Sequence, residues 1–334
     1  MSQGSPRTSS RAWWKITLGL LVSAFALFVT FRSVRLSDLV NALATARLVW
    51  LLPALACFFV MFGLRALRWA VLLGGAPFWK TFHALNIGYM MNSILPLRVG
   101  EVGRALVVSD QTGIGVARAL SSVVVERVID LASVVLLFAA FARLVPMPPA
   151  FARAATLGAI AVTVAVVSGA LLVWKADGVE AFLRPRLARR GLRLDWGWAR
   201  FREVCAGFRT VGSGRRLGVV VGLTVAIWTM TIALAYFAMA AFLAPHGAAA
   251  GLMVVVSNLG GALPSAPGGL GVVQGFAKVA LVAPFHVPDD RAVAFVFVWS
   301  LSQQLLLVLL GVVGLGRLGV SLGQAKRKAE RGTP

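Results

Sequence analysis

The stretch from Asn92 to Asp130 is mostly apolar, yet it holds Arg98, Glu101, Arg104, Glu126, Arg127 and Asp130. An ionised side chain at the centre of a membrane helix costs about 2.5–3.5 kcal/mol on insertion scales. Several together point to a site or a path for something polar. Arg98, Glu101 and Arg104 follow at i, i+3 and i+6 of a helix starting just after Pro96, so Glu101 can pair with either arginine. The planar fork of a guanidinium suits a phosphate. One reading is a lipid-headgroup site, with one arginine on phosphate and the other held by Glu101. The other is a cytoplasmic interface helix whose arginines meet headgroups only.

Glu126 and Asp130 stand at i, i+4 on one helix face, with Arg127 at i, i+3 from Asp130. They form either a static ion network against Arg65 or Arg68, or a gate or proton-coupling acid. Arg65, Arg68 and Trp69 close an earlier apolar run, where snorkelling of the long side chains to the interface also accounts for them.

The elements that must position these groups are membrane helices. The chain has 334 residues, 59% hydrophobic and only 13% charged, against about 25% charged in soluble domains. Several apolar runs exceed the roughly 18 residues needed for a span. Alternating ten-residue strands are absent, which argues against a membrane β-barrel. The net charge of +21 does not indicate nucleic acid, because the basic residues cluster in two tails and one loop, as the positive-inside rule describes. Cys57 and Cys205 form no disulfide framework, and the histidines lack metal-ligand spacing, so no metal or cofactor is expected.

The chain reads as a basic tail (1–12), one transmembrane domain (13–318) with a basic loop at 175–216, and a second basic tail (319–334). That loop carries eleven Lys/Arg against four Asp/Glu. If both tails and the loop are cytoplasmic, the piece Trp79–Leu97 starts and ends inside, with residues 98–118 inside as well. Residues 245–290 then start and end outside. The count gives an all-α polytopic protein of about six full spans plus two oppositely oriented re-entrant segments, eight apolar blocks in all. Both termini are cytoplasmic, in a cell (inner) membrane.

The two broken segments resemble each other. Asn92 leads to Leu95-Pro96, Arg98, Gly100 and Glu101; Asn258 leads to Leu263-Pro264, Pro267, Gly268, Gly269 and Gly271. Proline breaks a helix and glycine permits close backbone approach. Freed backbone groups in lipid must be buried in protein or line a wet cavity. Paired breaks of opposite topology predict an inverted repeat with a site between the halves. Half-helix N-termini there suit a phosphate.

At these residues the chain resembles the flippase-like transmembrane region of lysylphosphatidylglycerol synthases. The resemblance rests on N…LP-x-R-x-G-E-x-x-R (Asn92, Pro96, Arg98, Gly100, Glu101, Arg104), then E-R-x-x-D (Glu126, Arg127, Asp130), then P-x-x-P-G-G-L-G (Pro264, Pro267, Gly268, Gly269, Gly271). It implies movement of lipids between leaflets, with membrane lipids, anionic or phosphate-bearing, as partners. No aminoacyltransferase segment accompanies these motifs, so lysyl transfer is not expected. The family often has Glu where this chain has Gln274. The expectation is a lipid flippase-like protein rather than an enzyme, in which Asn92, Arg98, Glu101 and Arg104 bind the headgroup and Glu126, Arg127, Asp130, Arg65 and Arg68 gate it or form an ion network. The competing expectation is a membrane enzyme or accessory subunit acting on polyprenyl-phosphate-linked glycolipids or hopanoids. Homo-oligomers or lipid-biosynthesis enzymes are the expected protein partners.

Overall fold

The computed structural model describes residues 46–95, 99–145, 214–261 and 271–320, with Ala44 and isolated positions between 149 and 198. The expected spans at 13–31 and 151–174 and the basic segments lie outside or largely outside these residues. What is described is helical, with no strand among the described residues. After a short 3-10 turn at Leu48–Trp50 come α1 (Leu51–Leu72), α2 (Phe78–Ile94), α3 (Gly100–Thr112) and α4 (Val116–Leu144). Then follow α5 (Gly214–Phe242), α6 (Gly247–Gly261), α7 (Val272–Phe285) and α8 (Asp289–Leu318).

Three of these are long and apolar enough to cross a membrane: Leu48–Leu72, Gly214–Phe242 and Asp289–Leu318. At 29 residues α4 is as long as α5, but Arg118, Glu126, Arg127, Asp130 and Arg143 interrupt its apolar face. The other four are short. At 1.5 Å per residue they reach only about 20–26 Å, less than the roughly 30 Å hydrocarbon core.

The short helices form two hairpins. In the first, Lys80 Nζ donates to the carbonyl of Gln111 at 2.8 Å near the open end. At the closed end Asn92 Oδ1 accepts from the Gly100 N–H at 2.9 Å. So α2 and α3 run antiparallel. A Cβ at Gly100 would collide with the Gly88 carbonyl and the Asn92 side chain, so glycine is what lets the two arms touch. Leu95 leaves the helix in an extended conformation directly before Pro96, as the residue before a proline prefers. In the second hairpin, Phe276 covers Gly260 near the closed end, and the His246 and Phe285 rings meet at 5.0 Å near the open end. Gly271, at φ +85°, starts α7, and its N–H donates to Gln274 Oε1 at 2.7 Å.

This corrects one sequence expectation. The sequence places residues 98–118 on the cytoplasmic side after a re-entrant Trp79–Leu97. Instead α3 is the returning arm of the hairpin: α2 ends at Ile94 and α3 begins at Gly100, both at the closed end. The entry and exit of the segment still share one end.

The element order long, short, short, long occurs twice, as α1–α4 and α5–α8. The packing repeats with it. α2 pairs with α3 as α6 pairs with α7; α3 leans on α4 as α7 leans on α8; α1 touches α2 as α5 touches α6. The halves also exchange arms, for α2 lies along α8 and α6 along α4. α1 and α5 run antiparallel, from Trp50 stacked on Phe237 at 6.0 Å to Arg68 on Thr224 at 3.2 Å.

Two apolar clusters fill the bundle. One gathers Phe58, Phe62, Val134, Phe138, Ile227, Met253 and Phe295. The other gathers Trp69, Leu72, Leu85, Met91, Val107 and Val125. Along α1 the seam between them falls between Phe62 and Ala66, and along α4 between Val125 and Val134. Outward positions such as Leu136, Val225 and Leu305 are exposed apolar surface, suited to lipid contact.

Candidate functional site

The seam between the two clusters is where the charges are. α1 brings Arg65 and Arg68, one turn apart on the face that meets α4. The first turns of α3 bring Glu101 and Arg104, because the hairpin tip delivers the start of α3 to this level. α4 brings Glu126, Arg127 and Asp130. Arg118, near the start of α4, lies against Gly74 just past the end of α1. Glu126 is eight residues further on, so the charges sit about 12 Å deeper along α4.

The seven side chains are arranged in an ordered way. Glu101 Oε2 meets Arg104 Nη2 at 2.9 Å. Arg104 Nη1 meets Glu126 Oε2 at 3.1 Å. Glu126 Oε1 lies 3.7 Å from Arg68 Nη2, and Arg68 Nη1 meets Asp130 Oδ1 at 2.7 Å. Asp130 Oδ2 lies 3.8 Å from Arg127 Nη1. Arg127 Nη2 returns to Glu101 Oε1 at 2.8 Å. Six charges of alternating sign thus close into a ring spanning α1, α3 and α4. Arg65 stands outside it, 3.8 Å from Asp130 and donating to the Tyr89 hydroxyl at 3.2 Å.

Burial separates the members. Arg68, Glu126 and Arg104 are 0%, 1% and 2% exposed, while Glu101 is 23% and Arg127 40% exposed. Besides its two acids, the Arg104 guanidinium lies over the Trp69 ring at 4.8 Å. The Trp69 indole N–H donates to Ser122 Oγ at 2.9 Å, which fixes the ring beneath the cation. A buried pair loses about 3–5 kcal/mol when one partner is removed, because the other is left uncompensated. The inner half of the ring therefore locks α3 and α1 onto α4. The outer edge, Glu101 and Arg127, is only partly covered by protein.

These positions decide between several sequence readings. Arg68 does not snorkel to an interface; it is fully buried on two carboxylates. Glu101 holds Arg104 and also Arg127. Asn92 bonds the hairpin tip through Gly100. Asn258 is exposed, and its amide donates to the Val254 carbonyl at 2.8 Å within its own helix. Gln274 is buried and closes the first turn of α7, a capping role open to glutamine as to glutamate. Pro96 and Arg98, together with Pro264, Pro267, Gly268 and Gly269, fall outside the described residues. Sequence reasoning missed Tyr89 and Thr224, which carry no charge and no unusual spacing. Trp69 was visible beside Arg68 but gave no sign of carrying Arg104.

Comparison with known proteins agrees with the membrane character. Residues 16–311 match the model of a family described as the lysylphosphatidylglycerol synthase TM region. The chain is 26% identical, over 94% of its length, to glycosyltransferase AglD of Haloferax volcanii, and spans 58% of that protein. It is 27% identical to a UPF0104 membrane protein of Methanothermobacter thermautotrophicus, over 76% of this chain and 82% of the relative. No solved structure matches it.

Proposed function

Because the chain belongs to the lysylphosphatidylglycerol synthase transmembrane-region family, we propose that it moves a phosphate-bearing lipid headgroup between the two leaflets of a membrane. The observation that carries this reading is the ring of charges at the tip of a hairpin too short to cross. A protein that only needed to hold helices together could use apolar packing at lower desolvation cost. Seven ionised groups gathered inside a membrane bundle, with one edge open, fit a path for a polar headgroup. The alkyl chains stay in lipid while the headgroup passes the seam.

The repeated packing supports alternating access. If α1 corresponds to α5, the two-fold axis relating the halves must turn one into the other. They run antiparallel, so that axis is perpendicular to them and lies in the plane of the membrane. That is an inverted repeat, and its two hairpins enter from opposite faces. Transporters built this way expose the site to each side by rocking one half against the other. We place the protein in the cell's inner membrane with the loop 175–216 and both tails cytoplasmic, from the positive-inside distribution. We take it as a transporter rather than an enzyme.

Reconstitution into vesicles carrying a fluorescent phospholipid tests the proposal. Protein-containing vesicles should equilibrate the label between leaflets faster than empty ones, and Glu126→Gln protein should not. Equal rates with and without protein would overturn it. A second reading, support of an enzyme that works on lipid-linked sugars, is favoured by the similarity to a protein named as a glycosyltransferase. Loss of a membrane glycolipid on deletion, with no translocation in vesicles, would select that reading.

A further inference from the structure

We infer that Arg127 is the group that takes the lipid's phosphate, and that Glu101 holds the guanidinium in place until the lipid arrives. The inference rests on the translocation reading above and names its contact. The described cluster comprises four arginines and three carboxylates, an excess of one positive charge. In a low-dielectric interior such an excess favours a bound anion. The excess is not shared evenly. Arg68 and Arg104 are closed in by protein, and Arg65 is 14% exposed. Arg127 is the open one, at 40%.

One carboxylate holds it at hydrogen-bond distance. Glu101 lies at 2.8 Å, whereas Asp130 and Glu126 lie at 3.8 and 3.9 Å. Arg127 Nη1 has no carboxylate closer than 3.8 Å. A phosphate placed at this edge can replace Glu101 on Nη2 and meet Nη1 at the same time, the two-pronged contact guanidinium makes with phosphate. Glu101 is not stranded by the exchange, because Arg104 Nη2 still holds its other oxygen at 2.9 Å. A phosphodiester monoanion matches the single uncompensated charge, so the ligand class is a singly charged phospholipid.

The test is native mass spectrometry of the full chain in neutral micelles, titrated with short-chain phosphatidylglycerol, phosphatidylcholine or inorganic phosphate. Arg127→Gln should weaken phosphatidylglycerol binding about ten- to a hundredfold, the size of a lost charged hydrogen bond. Glu101→Gln should tighten it, because the competing carboxylate is gone. Arg127→Lys, which keeps charge but loses the fork, should fall between. Wild-type affinity in Arg127→Gln would overturn the inference while leaving translocation standing if vesicles still scramble lipid. Weakening by Glu101→Gln equal to that of Arg127→Gln would also overturn it, as the mark of a merely structural role. Inorganic phosphate bound as tightly as the lipid would exclude the headgroup as the ligand's source. Lipid binding without translocation by any variant would remove the transport reading and keep the phosphate site.

Discussion

Replacing Glu126 with Gln isolates the inner half of the ring. The amide has nearly the same shape but no charge. Wild-type Glu126 places its two oxygens 3.3 and 3.1 Å from Arg104 Nη1 and lies 3.7 Å from Arg68. Both arginines are buried, so neither can turn to water. After the change four arginines face two carboxylates, and Arg104 keeps only Glu101. Breaking a buried pair by removing one partner costs about 3–5 kcal/mol. At about 2–4 °C per kcal/mol for chains of a few hundred residues, Tm should fall by about 6–20 °C. The assay is thermal unfolding in micelles followed by intrinsic fluorescence. The partner variant Arg104→Gln and the double variant complete a mutant cycle, in which residues of one network show coupling of about 0.5–3 kcal/mol. The double variant, with charge balance restored, should be more stable than either single one. A Glu126→Gln protein melting within about 2 °C of wild type would refute the reasoning, since that is below 1 kcal/mol on the same scale.

Three further outcomes follow from the geometry. Gly100→Ala should prevent the hairpin from closing, because the added carbon meets the Gly88 carbonyl and Asn92; a loss of about 1–3 kcal/mol from overpacking would show in urea-induced unfolding. Gln274→Ala removes the side chain that accepts from the Gly271 N–H and should cost about 1 kcal/mol, the usual scale of a lost helix cap, read as a lower Tm. Trp69→Leu leaves Arg104 without its aromatic support and Ser122 without its donor; a loss of about 2–4 kcal/mol is expected from the missing contacts, measured by the same melts.

The sequence made some of this legible and hid the rest for physical reasons. The spans showed themselves by length and hydropathy. The acids of α4 stood out because charge inside a 29-residue helix is rare without a partner. Their pairing with Arg65 and Arg68 was foreseeable as one of two readings. The return arm α3 was not. It carries Glu101, Arg104, Ser109, Asp110 and Gln111, and such composition reads as solvated surface. Only tertiary packing makes it acceptable inside, by matching Glu101 and Arg104 to α4. Likewise, no local pattern says which arginine will be sealed and which will stay open. That depends on Trp69 and Ser122, which come from two different helices.

The ring also sets an order of assembly. Synthesis delivers Arg65 and Arg68 before any of their acids exists: Glu126 follows Arg68 by 58 residues, about 3–12 s at ribosomal speed. Through that interval the arginines at the end of α1 have no carboxylate to pair with, and burying each of them unpaired costs about 2.5–3.5 kcal/mol. Their burial is expected to wait for α4, with the hairpin closing between the two helices. Nascent chains stopped before Glu126 should leave a cysteine placed at Ala66 open to aqueous thiol reagents, and chains carried past Asp130 should protect it.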